Sequence, residues 1–251
     1  MSDPGTVDYA EPTPGVVLLT LSRPQARGAL SSGLLDALSS AVHRIEADPA
    51  VRCVVLTGTP GSFCAGLDLV ELEQSPGLLL HHEAPQQLRR LALPLIGAID
   101  GPAVTGGLEL ALAADIRVGS PRARFADTHA RVGLVPGWGL STALPALVGS
   151  SRARMMSLTG RFVAGEEALR LGLLDLLVPE EDVLDQALQM AQEIAGADQR
   201  AVAGILGLYR AAAQDTDGVA DVRERELFAE WVGGLDPDEL AERRRALLGG
   251  R

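Results

Sequence analysis

Twice in this chain a short apolar run passes into a glycine-rich turn and straight on into a helix-forming stretch, a unit that commits the chain to an α/β architecture. The first copy runs from the strand Val51 to Thr57 through Gly58-Thr59-Pro60-Gly61-Ser62-Phe63-Cys64-Ala65-Gly66 into a short helix, Leu67 to Glu73. The second runs from the strand Leu95 to Ile99 through the turn Asp100-Gly101-Pro102-Ala103-Val104-Thr105 into the helix Gly106 to Ala114. Apolar runs of this length read as buried strands.

The rest of the chain repeats the alternation. Val16 to Leu21 is a strand that stops at the turn Ser22-Arg23-Pro24. A helix follows, capped by Ser31 or Ser32, with Leu34, Leu35, Leu38, Val42 and Ile45 on one face and Asp48-Pro49 as its stop. Ile116 to Val118, Ala123 to Phe125 and Leu176 to Val178 are short strands, and Trp138 to Leu147 and Ser151 to Leu158 are helices. From Glu180 onward only helical periodicity remains, broken near Gly196, Asp217 and Asp236-Pro237. The chain therefore divides into an α/β core, 1-195, and a helical subdomain, 196-251. Val202, Ile205, Leu206, Leu208, Leu227, Phe228, Trp231 and Leu247 give that tail more apolar surface than solvent tolerates, so it packs on the core or on a neighbouring subunit.

Charge and composition exclude several functions. Thirty-three acidic residues against 22 basic ones leave a net charge of -11, which repels a phosphate backbone at long range. Every basic residue is Arg; without Lys there is no Schiff base and no P-loop lysine. Neither glycine-rich loop is a GxGxxG dinucleotide turn, and Gly61-Ser62-Phe63 is not a GxSxG nucleophile elbow. No Cys, His or carboxylate cluster has metal-ligand spacing, so no metal is expected. Met1 to Pro14 has no charged-then-apolar leader, and the two cysteines, Cys53 and Cys64, read as buried fillers, so a cytoplasmic location is expected.

What remains is the pair of loops and one carboxylate. Small residues let a ligand approach the backbone, and unsatisfied N–H groups at a helix start bind an anion or a developing oxyanion. Glu109 follows the second loop inside the apolar stretch Gly106-Gly107-Leu108-Glu109-Leu110-Ala111. A carboxylate among such neighbours is desolvated and suited to proton transfer, unless it serves as a capping-box residue for its own helix.

These residues resemble the enoyl-CoA hydratase/isomerase, or crotonase, family from about Val16 to Ala195. The resemblance is carried by Leu21-Ser22-Arg23-Pro24, Ser62-Phe63-Cys64-Ala65-Gly66-Leu67-Asp68-Leu69, Ile99-Asp100-Gly101-Pro102-Ala103 with Gly106-Gly107-Leu108-Glu109-Leu110-Ala111, Phe125-Ala126-Asp127, Gly133-Leu134-Val135-Pro136-Gly137-Trp138-Gly139 and Leu158-Thr159-Gly160. It implies a crotonase-like spiral of ββα repeats with a C-terminal helical trimerisation region, assembled as a homotrimer or as a hexamer of paired trimers. It also implies an acyl-CoA thioester as substrate, coenzyme A being part of that substrate and no separate cofactor being needed.

The resemblance places the two oxyanion-binding N–H groups at Ala65 and Gly106 and the CoA contacts at Arg23, Ala26, Arg27, Ala65, Leu67, Leu69 and Gly106. Glu109 matches the glutamate that activates water at C3. The family's second glutamate, which handles the proton at C2, is here His129, and its common asparagine is here Gly28. His129 either transfers that proton, as an imidazole can near neutral pH, or lines the pocket with Asp127 or a backbone carbonyl as partner. His81 and His82 fall where the family lines its acyl pocket. The implied reaction is hydration of a 2-enoyl-CoA or the reverse; the alternatives are double-bond isomerisation and acyl-CoA binding without turnover.

Overall fold

The structure, a computed structural model, describes residues 3–75, 77, 79 and 82–210, with positions 229, 236–238, 241, 242, 244 and 245 beyond them. His81, Leu227, Phe228, Trp231 and Leu247 lie outside the described residues.

The chain opens with β1 (Thr6–Thr13), β2 (Val16–Ser22), α1 (Ser32–Ala47), β3 (Cys53–Gly58), α2 (Leu69–Gln74) and α3 (Ala84–Arg90). β4 (Leu95–Ile99), β5 (Pro102–Val104), α4 (Gly106–Ala113), β6 (Ile116–Gly119), β7 (Arg124–Ala126) and α5 (His129–Val132) follow. α6 (Leu140–Val148), α7 (Ser150–Thr159), β8 (Val163–Ala164), α8 (Gly165–Leu171), β9 (Leu176–Leu177) and α9 (Val183–Gly196) complete the core, and a further helix spans 199–210.

Two sheets result, a six-stranded one in the order β1-β2-β3-β4-β6-β9 and a three-stranded one in the order β5-β7-β8. The spiral is visible in the connections: β4 joins the large sheet, β5 the small one, α4 packs outside; then β6, β7 and α5 repeat the path. The first loop contributes a single rung, the parallel bridge Cys64↔Ala103, to the same small sheet.

β2, β3, β4 and β6 run parallel and are buried on both sides. Val54 and Leu56 face the α1 side with Leu34, Leu35, Leu38, Val42 and Ile45, while Cys53 and Val55 face α9 with Val183, Ala187 and Ala191. Ser31 is the N-cap of α1, its side chain accepting from the Leu34 N–H. A parallel strand covered by helices on both faces needs the continuous apolar run that the sequence carries.

Three segments differ from expectation. Met1 to Pro14 reads as polar chain, yet Thr6–Thr13 is an edge strand antiparallel to β2, with an irregularity between Ala10 and Thr13 that accommodates Pro12. The expected turn 100–105 contains the strand Pro102–Val104, too short to show a periodicity and defined only by its pairing with Arg124–Ala126. The helix expected from Trp138 starts at Leu140 because Gly139 takes φ 100°, which leaves Trp138 in the preceding loop. In the helix 199–210, Val202, Leu206 and Arg210 are half-buried at i, i+4 spacing, and Arg210 holds Leu91 O and Asp115; Ile205, Leu208 and Tyr209 are exposed. No helix among the described residues is long and apolar enough to cross a membrane.

The buried thiols set a pH limit on this core. Burial pushes Cys53 and Cys64 from the ordinary 9.0 up to about 12. Above pH 9 the unfolded chain gives up these protons and the folded chain keeps them, so stability falls as pH rises, by roughly 1.4 kcal/mol per pH unit for each thiol. Urea midpoints at pH 8 and 10.5 are expected to drop further in the parent than in the Cys53→Ala, Cys64→Ala protein. Equal drops would assign the alkaline loss to other groups.

Candidate active site

The two glycine-rich loops cross backbone to backbone. A Cβ on Gly107 would lie 2.2 Å from the Cys64 carbonyl oxygen, and one on Gly101, where φ is 121°, 2.3 Å from that of Gly61. Only glycine permits this approach, and it brings the start of α4 against the 64–68 segment.

Hydrogen bonding then decides which N–H groups remain for a ligand. Cys64 N–H donates to Pro102 O at 2.8 Å, on the β5 side, and Ala65 N–H donates to Arg27 O at 3.1 Å, on the opposite side. Ala65, expected to supply an oxyanion donor, therefore spends its N–H on the 23–30 loop. Gly66 O accepts from Leu30 N–H and Asp68 N–H donates to Leu30 O, so the intervening Leu67 points its own N–H away from Leu30, and no described residue accepts from it. The N–H that this loop leaves without a described acceptor is that of Leu67, one of the residues expected only to touch CoA.

Gly106, the other residue expected to supply a donor, opens α4. As the first residue of α4 its N–H has no intrahelical acceptor. Thr105 before it holds φ 54° and ψ -110°, a strained conformation that costs on the order of 1–3 kcal/mol. Three contacts hold it: Thr105 N–H to Ala126 O at 2.8 Å, Thr128 N–H to Thr105 Oγ1 at 3.2 Å, and a hydroxyl–hydroxyl bond to Thr128.

Glu109 is 4% exposed on a helix buried on every side. It does not close a capping box, since the Thr105 N–H goes to Ala126 O. Its Oε1 accepts from the Trp138 N–H at 2.9 Å, and its Oε2 lies 3.8 Å from His129 Nε2. His129, 5% exposed, places Nδ1 2.7 Å from Asp127 Oδ1. Burial of Asp127 works against its charge, yet the bond and charge of His129 hold its carboxyl below the ordinary 3.8.

Leu67, Leu134, Val135, Gly137 and Trp138 complete the walls. The space left is about 10 Å3 for the centre of a water molecule, room for one water. A larger cavity of about 500 Å3 opens at the carboxyl ends of β2 and β3, lined by Thr20, Thr57, Asp100, Arg122 and Glu180. There Arg122 pairs with both Asp100 and Glu180.

Other expected site residues divide. Arg23, expected among the CoA contacts, is 3% exposed and committed inside the protein, to Asp3 O at 2.8 Å, Ala29 O at 3.0 Å and Asp68 at 2.6 Å, where it braces the loop. Arg27 is exposed, and Ala26 and Leu69 are half-buried on the same rim. His82 bonds Asp36 at 3.1 Å and is not among the pocket walls.

The sequence offered Glu109, His129 and, as one of two candidate partners of that histidine, Asp127, but not what Glu109 touches. Asp127 had a weak signal, a carboxylate two residues before a histidine; Trp138, 29 residues from Glu109, had none.

Comparison with known proteins points to one family. Residues 11–236 match the family model for enoyl-CoA hydratase/isomerase. A probable peroxisomal enoyl-CoA hydratase of Arabidopsis thaliana is 34% identical over 238 residues, covering 94% of this chain and 90% of that protein. The crystal structure of an enoyl-CoA hydratase from Mycobacterium tuberculosis H37Rv superposes with a TM-score of 0.81 at 43% identity, covering 91% of this chain and 99% of that one. A monofunctional enoyl-CoA isomerase from M. smegmatis superposes at 0.73 with 30% identity, covering 92% and 99%. The α/β spiral expected from the motifs is thus the fold of this chain, and the protein belongs to the enoyl-CoA hydratase/isomerase family of enzymes.

Proposed function

We propose that this enzyme adds water across the double bond of a 2-enoyl-CoA thioester, or runs the reverse dehydration. The carrying observation is that Glu109 Oε2 and His129 Nε2 lie 3.8 Å apart and both residues line a space for one water, which Leu67 also walls; the N–H groups of Leu67 and Gly106 have no described acceptor. Glu109, fixed by the Trp138 N–H, takes a proton from water as its oxygen bonds to C3. The C2=C3 electron pair passes to the thioester oxygen, where the Leu67 and Gly106 N–H groups hold the enolate. The enolate returns its electrons to C2, which takes a proton from His129.

Arg27, Ala26 and Leu69 support the CoA moiety in this reading, and coenzyme A enters only as part of the substrate. Isomerisation needs one base moving a proton between C2 and C4; two groups lining a water-sized space favour hydration. Loss of enoyl absorbance from crotonyl-CoA or a longer 2-enoyl-CoA tests the reading. Absorbance gained from a 3-enoyl-CoA instead would replace it by isomerisation, and neither change would remove both.

A trimer or hexamer belongs to the same proposal, supported by the exposed Ile205, Leu208 and Tyr209 on the 199–210 helix. Light scattering that reads a stable monomer at micromolar concentration would remove it. A cytoplasmic location is supported by the two buried, unpaired thiols.

A further inference from the structure

Asp127 is the buried charge that hydration alone does not require. It is 1% exposed, and one of its oxygens, Oδ1, meets the same residue twice: it accepts from the His129 backbone N–H at 3.1 Å and lies 2.7 Å from the ring Nδ1. Backbone and ring are clamped together, which fixes the rotamer of the imidazole. The other oxygen, Oδ2, is buried with no hydrogen-bond partner among the described residues; the Ser157 hydroxyl favours the charge from nearby without meeting it in hydrogen-bond geometry. A half-satisfied buried carboxylate is costly, and a fold in need of a loop clasp alone would be served better by a group that both donates and accepts.

An ionised carboxylate can only accept, so Nδ1 must be the donor and Nε2 the nitrogen that gains and loses the proton. Nε2 faces Glu109 Oε2 at 3.8 Å, too far for a direct hydrogen bond and close enough for both to reach one intervening atom. The other charged groups around His129 are turned elsewhere. Arg131 on α5 donates to Thr159 O, and Arg152 and Arg154 on α7 are exposed.

We infer that Asp127 is a positioning residue that holds His129 with Nδ1 protonated and Nε2 aimed at the reacting carbon opposite Glu109, making Asp127, His129 and Glu109 one proton-carrying row. This rests on the hydratase reading for its catalytic consequence and on the structure alone for its geometry. In the forward reaction the water oxygen bonds C3 and its proton goes to Glu109, while the Nε2 proton goes to C2. Glu109 then returns its proton to Nε2 through the next water bound between them. The product has gained one hydroxyl and one hydrogen, and each protein group ends as it began.

The test uses the full-length protein labelled with 15N-histidine. In the parent, neutral His129 is expected to carry its proton on Nδ1. In Asp127→Asn the ring titration is expected to move down by about one pH unit or more, because the removed anion favoured the imidazolium. The kcat of enoyl-CoA hydration is expected to fall roughly 100-fold with KM changed only a few-fold, and the pH-rate limb set by His129 is expected to shift with the ring. A neutral parent ring protonated on Nε2, or an Asp127→Asn titration and pH profile equal to the parent's, would overturn the inference. If Asp127→Asn does not fold, the parent's tautomer decides. A parent inactive on every enoyl-CoA would sink the hydratase reading, while the ring titration would still judge Asp127.

Discussion

Glu109→Gln is expected to lower hydration at least about 100-fold, close to 2.7 kcal/mol of transition-state stabilisation, while acyl-CoA binding persists. The amide matches the carboxylate in shape and keeps an oxygen for the Trp138 N–H, so the bond at 2.9 Å that orients the side chain is retained. What disappears is the ability to accept a proton from water. The separation of the two effects is the test: initial rates on saturating enoyl-CoA report the base, and calorimetric titration with a saturated acyl-CoA reports the pocket. Rates within a few-fold of the parent would remove Glu109 from the reaction. Rate and binding lost together would mean that Glu109 is needed to build the pocket.

Gly106→Pro is expected to cost about 100- to 1000-fold in turnover, the range for loss of one oxyanion donor. Proline is tolerated at the first position of a helix, because that N–H has no partner in the helix, so α4 itself can persist. Thr105, at ψ -110°, must adjust to a following proline, and a thermal midpoint near the parent's is the control that separates donor loss from loop damage. Gly106→Ala makes a useful comparison. It keeps the N–H but sets a Cβ 2.9 Å from Trp138 Cζ3 and 3.2 Å from Leu30 Cδ1, so it disturbs the pocket wall while sparing the donor. Full activity with normal acyl-CoA affinity in Gly106→Pro would exclude Gly106 from the oxyanion site.

Much of this enzyme was legible in its sequence, because the relevant information is local. Continuous apolar runs such as Val54 to Leu56, the serine cap and spaced leucines of α1, and the strand–turn–helix units around residues 58 and 101 each follow from backbone preferences and burial within a dozen residues. Glu109 stood out for the same reason, as one carboxylate in an otherwise apolar helical turn.

What the sequence could not carry is any feature whose cause lies in a pairing between distant segments. Ala65 and Leu67 are both loop residues before a helix; only the bond of Ala65 to Arg27 and the bridge from Leu67 to Leu30 decide which N–H is left without a described protein acceptor. Arg23, expected among the CoA contacts, is instead surrounded by Asp68 and the carbonyls of Asp3 and Ala29. Trp138 leaves its helix because Gly139 adopts φ 100°, and its N–H then meets a carboxylate 29 residues earlier in the chain. The sequence by itself determined most of the elements, the family and the two candidate acid–base residues, Glu109 and His129. Tertiary structure alone decided the direction of each N–H, the partner of each buried charge and the tautomer-setting contact of His129, because a hydrogen bond's direction is set by whichever segment packs beside it.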